Sequence, residues 1–184
     1  MSDYLVKELM VPLSEYATVP KGSTLFDAIL ALEKAQEEFD HTKYKHRGVL
    51  ILDKKRQVIG KLSQLDVLRA LEPKDEESID ILNLNQFGFS SNFVHRLRMQ
   101  RRMTAAPLKD LCSKASQLKV EDFMQTPSAG EFIDETATLE MAVMQLVHGP
   151  HLSLLVARGK EIIGILRMTD VFAAVFHTMK ECEL

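Results

Sequence analysis

Residues 60–66 read GKLSQLD and residues 164–170 read GILRMTD. Each stretch follows a short apolar run and opens another whose apolar residues fall at helical spacing. Both keep a glycine, a leucine two places on and an aspartate six places on, while the fourth position changes from Ser63 to Arg167. Working outward at the same offset of 104, Leu50, Gly60, Leu62, Asp66, Val67 and Ala70 meet Leu154, Gly164, Leu166, Asp170, Val171 and Ala174. Upstream the offset is 114: Val6, Met10, Thr24, Leu25, Ala28 and Leu32 meet Val120, Met124, Thr138, Leu139, Ala142 and Leu146. The chain is an internal duplication, and copy one carries ten extra residues between Leu32 and Leu50.

Each copy follows one plan. A helical lead-in (Tyr4–Met10; Val120–Met124) reaches a proline-containing turn and a short extended piece (Tyr16–Val19; Glu131–Ile133). A capped helix follows. Ser23 precedes Leu25, Ala28, Ile29 and Leu32, and Thr136 or Thr138 precedes Leu139, Ala142, Val143 and Leu146. VLIL with VIGKL, and LSLLV with IIGIL, are paired apolar runs joined by a few polar or small residues, which predicts a β-hairpin in each copy. A helix closes each copy, Gln64–Leu71 and Met168 to about Met179. The order β-α-β-β-α, written twice, predicts an α+β fold. Repeat 1 covers 1–71, a helical linker 72–119 and repeat 2 120–184. A half of about 65 residues with one thin sheet is marginal alone, so the copies are expected to pack together.

With 46% apolar and 27% charged residues the chain has the composition of a folded domain. Its net charge of −3 is unevenly spread: residues 92–119 hold seven Lys/Arg against Asp110 alone, and residues 120–184 hold four against ten acids. Four arginines between 96 and 102 raise nucleic acid as a partner. An acidic chain without an aromatic platform or recognition motif argues against it. In the middle segment EPKDEES reads as an acidic turn, Phe93, Leu97 and Met103 as one helix, and Leu108, Leu111, Cys112 and Ala115 as one face of another. Phe87 and Phe89 read as packing residues, with a second subunit as one candidate neighbour. Cys112 and Cys182 have no ligand spacing and read as reduced thiols of a cytoplasmic protein. No apolar run reaches the roughly 18 residues of a membrane span, and MSDYLVKELM is too charged for a signal peptide. His148 and His151 flank a Gly-Pro turn with no third ligand, so no metal is expected. No nucleophile–base pairing or phosphate-cradling glycine loop is visible either, so no enzyme is expected.

The repeated phrase admits two chemistries. A glycine near a strand end allows close approach of backbone or ligand. The helix start that follows offers free N–H groups to an anion, and an aspartate there can accept both hydroxyls of a ribose. Equally, S-x-x-D before an apolar run is a capping box, with Ser63 as cap and Asp66 at the third helical position. Arg167 cannot cap in this way, yet Asp170 is kept, which tips the balance towards a ligand. Arg167 itself reads as a solvent-directed side chain, a phosphate clamp, or a plug that closes one cleft.

These residues resemble those of CBS domains, named after cystathionine β-synthase and typically found as tandem pairs. The matching features are VKELM and VEDFM, STLFDAILAL and ATLEMAVMQL, and the hairpin ends GKLSQLDVLRAL and GILRMTDVFAAV. The resemblance covers residues 6–71 and 120–179. It implies two repeats about a pseudo-two-fold axis with two clefts between them. It also implies a non-catalytic regulator that binds AMP, ADP, ATP or a related adenosine ligand, requires no cofactor, forms a homodimer and signals to a regulated partner. A ligand-free dimerisation scaffold is the alternative. By the family's pattern Ser63 and Asp66 line one site and Asp170 the other; Arg167 departs from that pattern, standing where the family usually has a hydroxyl, and with Thr169 is a further candidate in copy two. Tyr16, Ala17, Arg47, Gly48 and Val49 are further cleft candidates in copy one, with His151 and Leu152 in copy two. Lys43, Lys45 and Arg47, in the ten-residue excess, are candidate phosphate neighbours.

Overall fold

The computed structural model describes residues 4–39, 44–71, 90, 92–93 and 108–182. The turn at 72–78, Phe87, Phe89, Lys43 and the 92–103 helix beyond Phe93 lie outside them. The architecture is α+β, as the repeated order predicts. In copy one, α1 (Val6–Leu9) and β1 (Val11–Pro12) lead to β2 (Thr18–Pro20), α2 (Leu25–Glu38), β3 (Gly48–Leu52), β4 (Val58–Ser63) and α3 (Gln64–Ala70). After α4 (Leu108–Ser116), copy two runs β5 (Phe132–Asp134), α5 (Leu139–His148), β6 (Ser153–Arg158), β7 (Glu161–Arg167) and α6 (Met168–Cys182). In each copy the two hairpin strands pair antiparallel, and the strand before the long helix, β2 or β5, joins the hairpin in parallel.

Local chemistry sets the helix starts. Thr24 rather than Ser23 caps α2: its hydroxyl accepts from the Asp27 amide while the Asp27 carboxylate accepts from the Thr24 amide at 2.8 Å. Thr138 caps α5 in the same place. Thr24 and Thr138 are equivalent in the duplication, so each copy kept the residue whose hydroxyl meets the third helical N–H. α2 is four residues longer than α5 (14 against 10), so part of the ten-residue excess is an added turn of helix. On α4 Ala115 is buried while Cys112 is exposed, so the cysteine lies off the apolar face expected for it.

The lead-ins cross over. Val6 is fully buried in the core of copy two, against Ile133, Leu139, Leu154 and Leu166. Its N–H donates to the Ala137 carbonyl at 2.9 Å, and the Leu139 N–H donates to the Tyr4 carbonyl at 3.0 Å. Val120 is fully buried in the core of copy one, against Leu25, Val49, Ile51 and Leu62. Its N–H donates to the Ser23 carbonyl at 3.0 Å, and the Leu25 N–H to the Leu118 carbonyl at 2.8 Å. The division of the sequence at 71 and 120 therefore follows the repeat and not the packing: each core is completed by the other copy's lead-in. Burying one such valine contributes roughly 1.5–3 kcal/mol.

The same crossing accounts for the repeated glycines. β1 pairs with β7, Val11 opposite Ile165, and Gln125 bridges Lys61 on β4 in the equivalent way. A Cβ on Gly164 would lie 2.6 Å from the Val11 carbonyl oxygen and 2.9 Å from the Met10 sulfur; one on Gly60 would strike the Met124 side chain. The close approach these glycines allow is that of the crossing segment. A third apolar cluster (Val11, Tyr16, Phe39, Leu50, Leu155 and Ile165) joins the two sheets. Gly164→Ala should cost about 1–3 kcal/mol in urea unfolding. Gly60→Ala should cost less, because Met124 can swing aside where the Val11 backbone cannot.

Candidate functional site

Where the two hairpins meet lies a cleft of about 420 Å³. From copy one it is walled by Tyr16, Arg47, Gly48, Val49, Ser63 and Asp66, and from copy two by His151, Leu152, Arg167 and Thr169. Ten of the twelve candidate residues thus share one space. Ala17 does not: it is buried in the first core, where its carbonyl accepts from the Leu50 amide at 2.9 Å. Asp170 is not on the wall either and is held by Arg167. The cleft also draws on Lys45, Lys61, Arg69 and Gln125. Of these, Lys61, Arg69 and Gln125 had no place in the sequence reading. Lys61 left a trace, a lysine in the apolar run VIGKL. Gln125 left none, because it arrives with the crossing segment.

Ser63 and Asp66 form a complete capping box at the start of α3. The Asp66 carboxylate accepts from the Ser63 amide (2.9 Å) and hydroxyl (2.6 Å), and the Ser63 hydroxyl accepts from the Asp66 amide (3.2 Å). Gln125 donates to both carboxylate oxygens and Arg69 to one, leaving Asp66 3% exposed. Burial on its own would raise this carboxyl. The Ser63 hydroxyl and amide, Gln125 and Arg69 outweigh it and hold the group below the usual carboxylate range. Capping is therefore a larger part of the copy-one phrase than the sequence comparison implies. The Gln125 side of Asp66 nevertheless opens on the cleft, and Gln125 is exposed.

In copy two the carboxylate keeps its place and changes its partner. Asp170 accepts from the Arg167 amide (3.2 Å), Nε (2.6 Å) and a terminal nitrogen (2.5 Å). The other terminal nitrogen of Arg167 donates to the Tyr44 carbonyl (2.6 Å) and to Nδ1 of His46 (3.2 Å). The His46 Nε2 lies 3.1 Å from the Glu15 carbonyl, so Nε2 carries the proton and Nδ1 accepts. The His46 ring packs on Tyr16 (4.6 Å between centroids) and Phe39 (4.2 Å), and the guanidinium lies 5.5 Å over Phe39. Arg167 is 6% exposed, which overturns the reading of a solvent-directed side chain.

A second polar cluster sits across the cleft. Glu131, 2% exposed, pairs with Lys61, lies 3.4 Å from Nδ1 of His151 and accepts from the Ser128 amide at 2.9 Å. Ser128 in turn contacts the His151 Nε2 at 3.1 Å. Burial would raise the Glu131 carboxyl, but Lys61, the Ser128 amide and His151 hold it below its usual range. Hydroxyl, imidazole and carboxylate stand here in the order that activates a nucleophile. The carboxylate is shared, however: the Lys61 ammonium pairs with the same Glu131 oxygen that faces His151. The cluster instead ties β4 of copy one to the start of β6 in copy two. Around the rim Lys45 and Arg47 are exposed and pair with no acid among the described residues.

The His46 environment has a consequence in acid. Burial, and then the Arg167 charge, push its pKa down to about 4 from 6.5. As pH falls the unfolded chain takes up this proton first, so stability present above pH 6.5 is lost progressively down to about pH 4. Asp66 and Glu131 add their own losses only as pH drops below their ordinary values of 3.8 and 4.5. Melting temperature should therefore fall between pH 6.5 and 4.5, and His46→Gln should flatten that portion of the curve. A profile unchanged by the substitution would show that another group carries it.

The comparisons with known proteins fit this arrangement. The model of the CBS domain family matches residues 6–73 and again 120–177. A CBS domain-containing protein of unknown function from Bacillus anthracis str. Ames Ancestor is 15% identical over 95% of this chain and 94% of its own, with a TM-score of 0.62. The CBS-pair protein CBSX2 from Arabidopsis thaliana is 18% identical, with a TM-score of 0.61, covering 97% of this chain and 99% of its own. CBSX2 in complex with AMP gives 20% identity and a TM-score of 0.59 over 95% and 97% of the two chains. No curated protein matches the sequence. Two family matches that fall on the two copies of the duplication, each carrying its own hairpin and closing helix, establish that the chain belongs to the CBS domain family as a tandem pair.

Proposed function

We propose that this CBS pair is a non-catalytic regulatory module that takes one adenosine nucleotide into the cleft between its repeats and passes the change to a partner protein. The observation that carries this reading is the charge on the cleft. Lys45 and Arg47 stand at its rim without acidic partners among the described residues, beside apolar walls from Val49, Leu62 and Ile165. Apolar walls suit a base and the exposed cations suit phosphate. A ribose diol reaches Asp66 by taking the place of the exposed Gln125 amide. The AMP complex of CBSX2, a protein of the same fold, supports the ligand class.

A second reading, homodimerisation, has its own support. α6 carries Met168, Phe172, Phe176 and Met179 outward, each more than 40% exposed, and α5 does the same with Met141, Met144 and Val147. Contiguous apolar area of this kind on a folded protein marks an interaction face. We propose that a second copy covers it, whether or not nucleotide is bound.

Thermal melts with AMP, ADP and ATP test the first reading. At 100 times its dissociation constant a ligand adds about 2.7 kcal/mol, a readily measured shift. Lys45→Ala with Arg47→Ala should leave the unliganded melt in place and weaken binding about tenfold or more. Asp66→Ala also breaks a helix cap worth roughly 1 kcal/mol, so it is the less clean variant. No shift with any of the three nucleotides would sink the nucleotide reading. For the second, Phe172→Asp should lower the mass seen in sedimentation to that of one chain, and a wild type already monomeric would rule the dimer out.

A further inference from the structure

The cleft residues are not used symmetrically. By the duplication Arg167 is the counterpart of Ser63, and Asp170 that of Asp66. In copy one the carboxylate's outward side is covered by the exposed Gln125, a side chain a ligand can displace. The counterpart of Gln125 is Val11, which has no polar group and is 4% exposed. In copy two the outward side of Asp170 is covered by the guanidinium, held by both carboxylate oxygens, the Tyr44 carbonyl and His46. Phe39 and His46 belong to the stretch that holds the ten extra residues of copy one. Both are buried, and His46 is fully so.

We infer that the serine-to-arginine change and the ten-residue insertion are two parts of one internal plug. The insertion brings an aromatic shelf and two acceptors across from copy one, and Arg167 spans from them to Asp170. All the guanidinium nitrogens have partners, so the group is not available as a phosphate clamp. The half-site of copy two is filled by the chain itself, and the pair binds one ligand where its duplicated architecture allows two. The plug also pins residues 44–46 to the second repeat. Breaking a largely buried pair by removing one partner is costly. Arg167→Ser, however, recreates the S-x-x-D spacing that caps α3, which gives Asp170 a hydroxyl partner and keeps the variant foldable.

The ligand count rests on the nucleotide reading above; the pinning does not, and the test separates them. Calorimetric titration with AMP should give one ligand per chain for wild type and two for Arg167→Ser. Without ligand, trypsin should cut after Lys45 and Arg47 about tenfold faster in Arg167→Ser, because the segment is no longer held. Phe39→Ala, which leaves the ion pair intact, should accelerate cutting as well and serves if Arg167→Ser does not fold. Two AMP molecules per wild-type chain would overturn the plug and leave the nucleotide reading standing. One AMP in Arg167→Ser with an unchanged cutting rate would also overturn it. If neither protein binds AMP the nucleotide reading fails, and the cutting rate alone decides: faster sustains the plug, unchanged refutes it.

Discussion

Everything in this molecule depends on two valines being in the wrong half. Val6 is the first core residue of copy one by sequence and a core residue of copy two by packing, and Val120 is its mirror image. Each sheet has three strands of its own, too thin to close a core, and the missing layer comes from the other repeat. The crossing brings Met10 and Met124 against Gly164 and Gly60, lays Gln125 over Asp66, and puts Val11 on the corresponding side of copy two. The glycines, the two kinds of cover over the aspartates and the cleft itself are all consequences of one exchange.

Against that shared frame the charges set the two halves apart. A buried carboxylate needs partners whether or not a ligand is at hand. Copy one meets the need with a hydroxyl, two amides and a half-exposed arginine. Copy two meets it with a buried arginine, and that arginine in turn needs acceptors, which Tyr44 and His46 supply from the other repeat. A guanidinium suits this task because its nitrogens form a rigid fork: two face a carboxylate while another reaches sideways. A lysine could not hold the carboxylate and the two cross-repeat acceptors together.

The fold was legible in the sequence because duplication supplies its own control. Gly60 and Gly164, Leu62 and Leu166, and Asp66 and Asp170 each appear twice, and a strand–turn–helix joint explains them twice. The crossing was not legible, since a valine in a lead-in reads the same whichever core it enters. For the same reason the sequence leaves open whether the glycines make room for backbone or for a ligand, and the crossing decides for the chain itself. Most cleft residues that lie in or beside the hairpins were found, as with Arg47, Ser63, Leu152 and Arg167, while Lys61 on β4 was not. Gln125 was missed because it comes from far along the chain. Asp170 was placed correctly in the phrase, but its partner was not foreseen: sequence spacing shows that Arg167 and Asp170 are three apart, not that Arg167 is buried and turned onto the carboxylate. Ser23 and Thr24 differ by one position, and only the geometry of the third helical N–H chooses between them.

The exchange of lead-ins also bears on how the chain is made. During synthesis from the N-terminus, α2, β3 and β4 are complete long before Val120 leaves the ribosome. The first sheet must wait with its core open until residues 118–124 arrive. The second cannot close without a segment synthesised more than a hundred residues earlier. Contacts this distant are slow to form, and a waiting apolar surface is exposed to misassembly. The duplicated chain therefore folds late and as one cooperative unit, with neither repeat able to serve as a finished platform for the other.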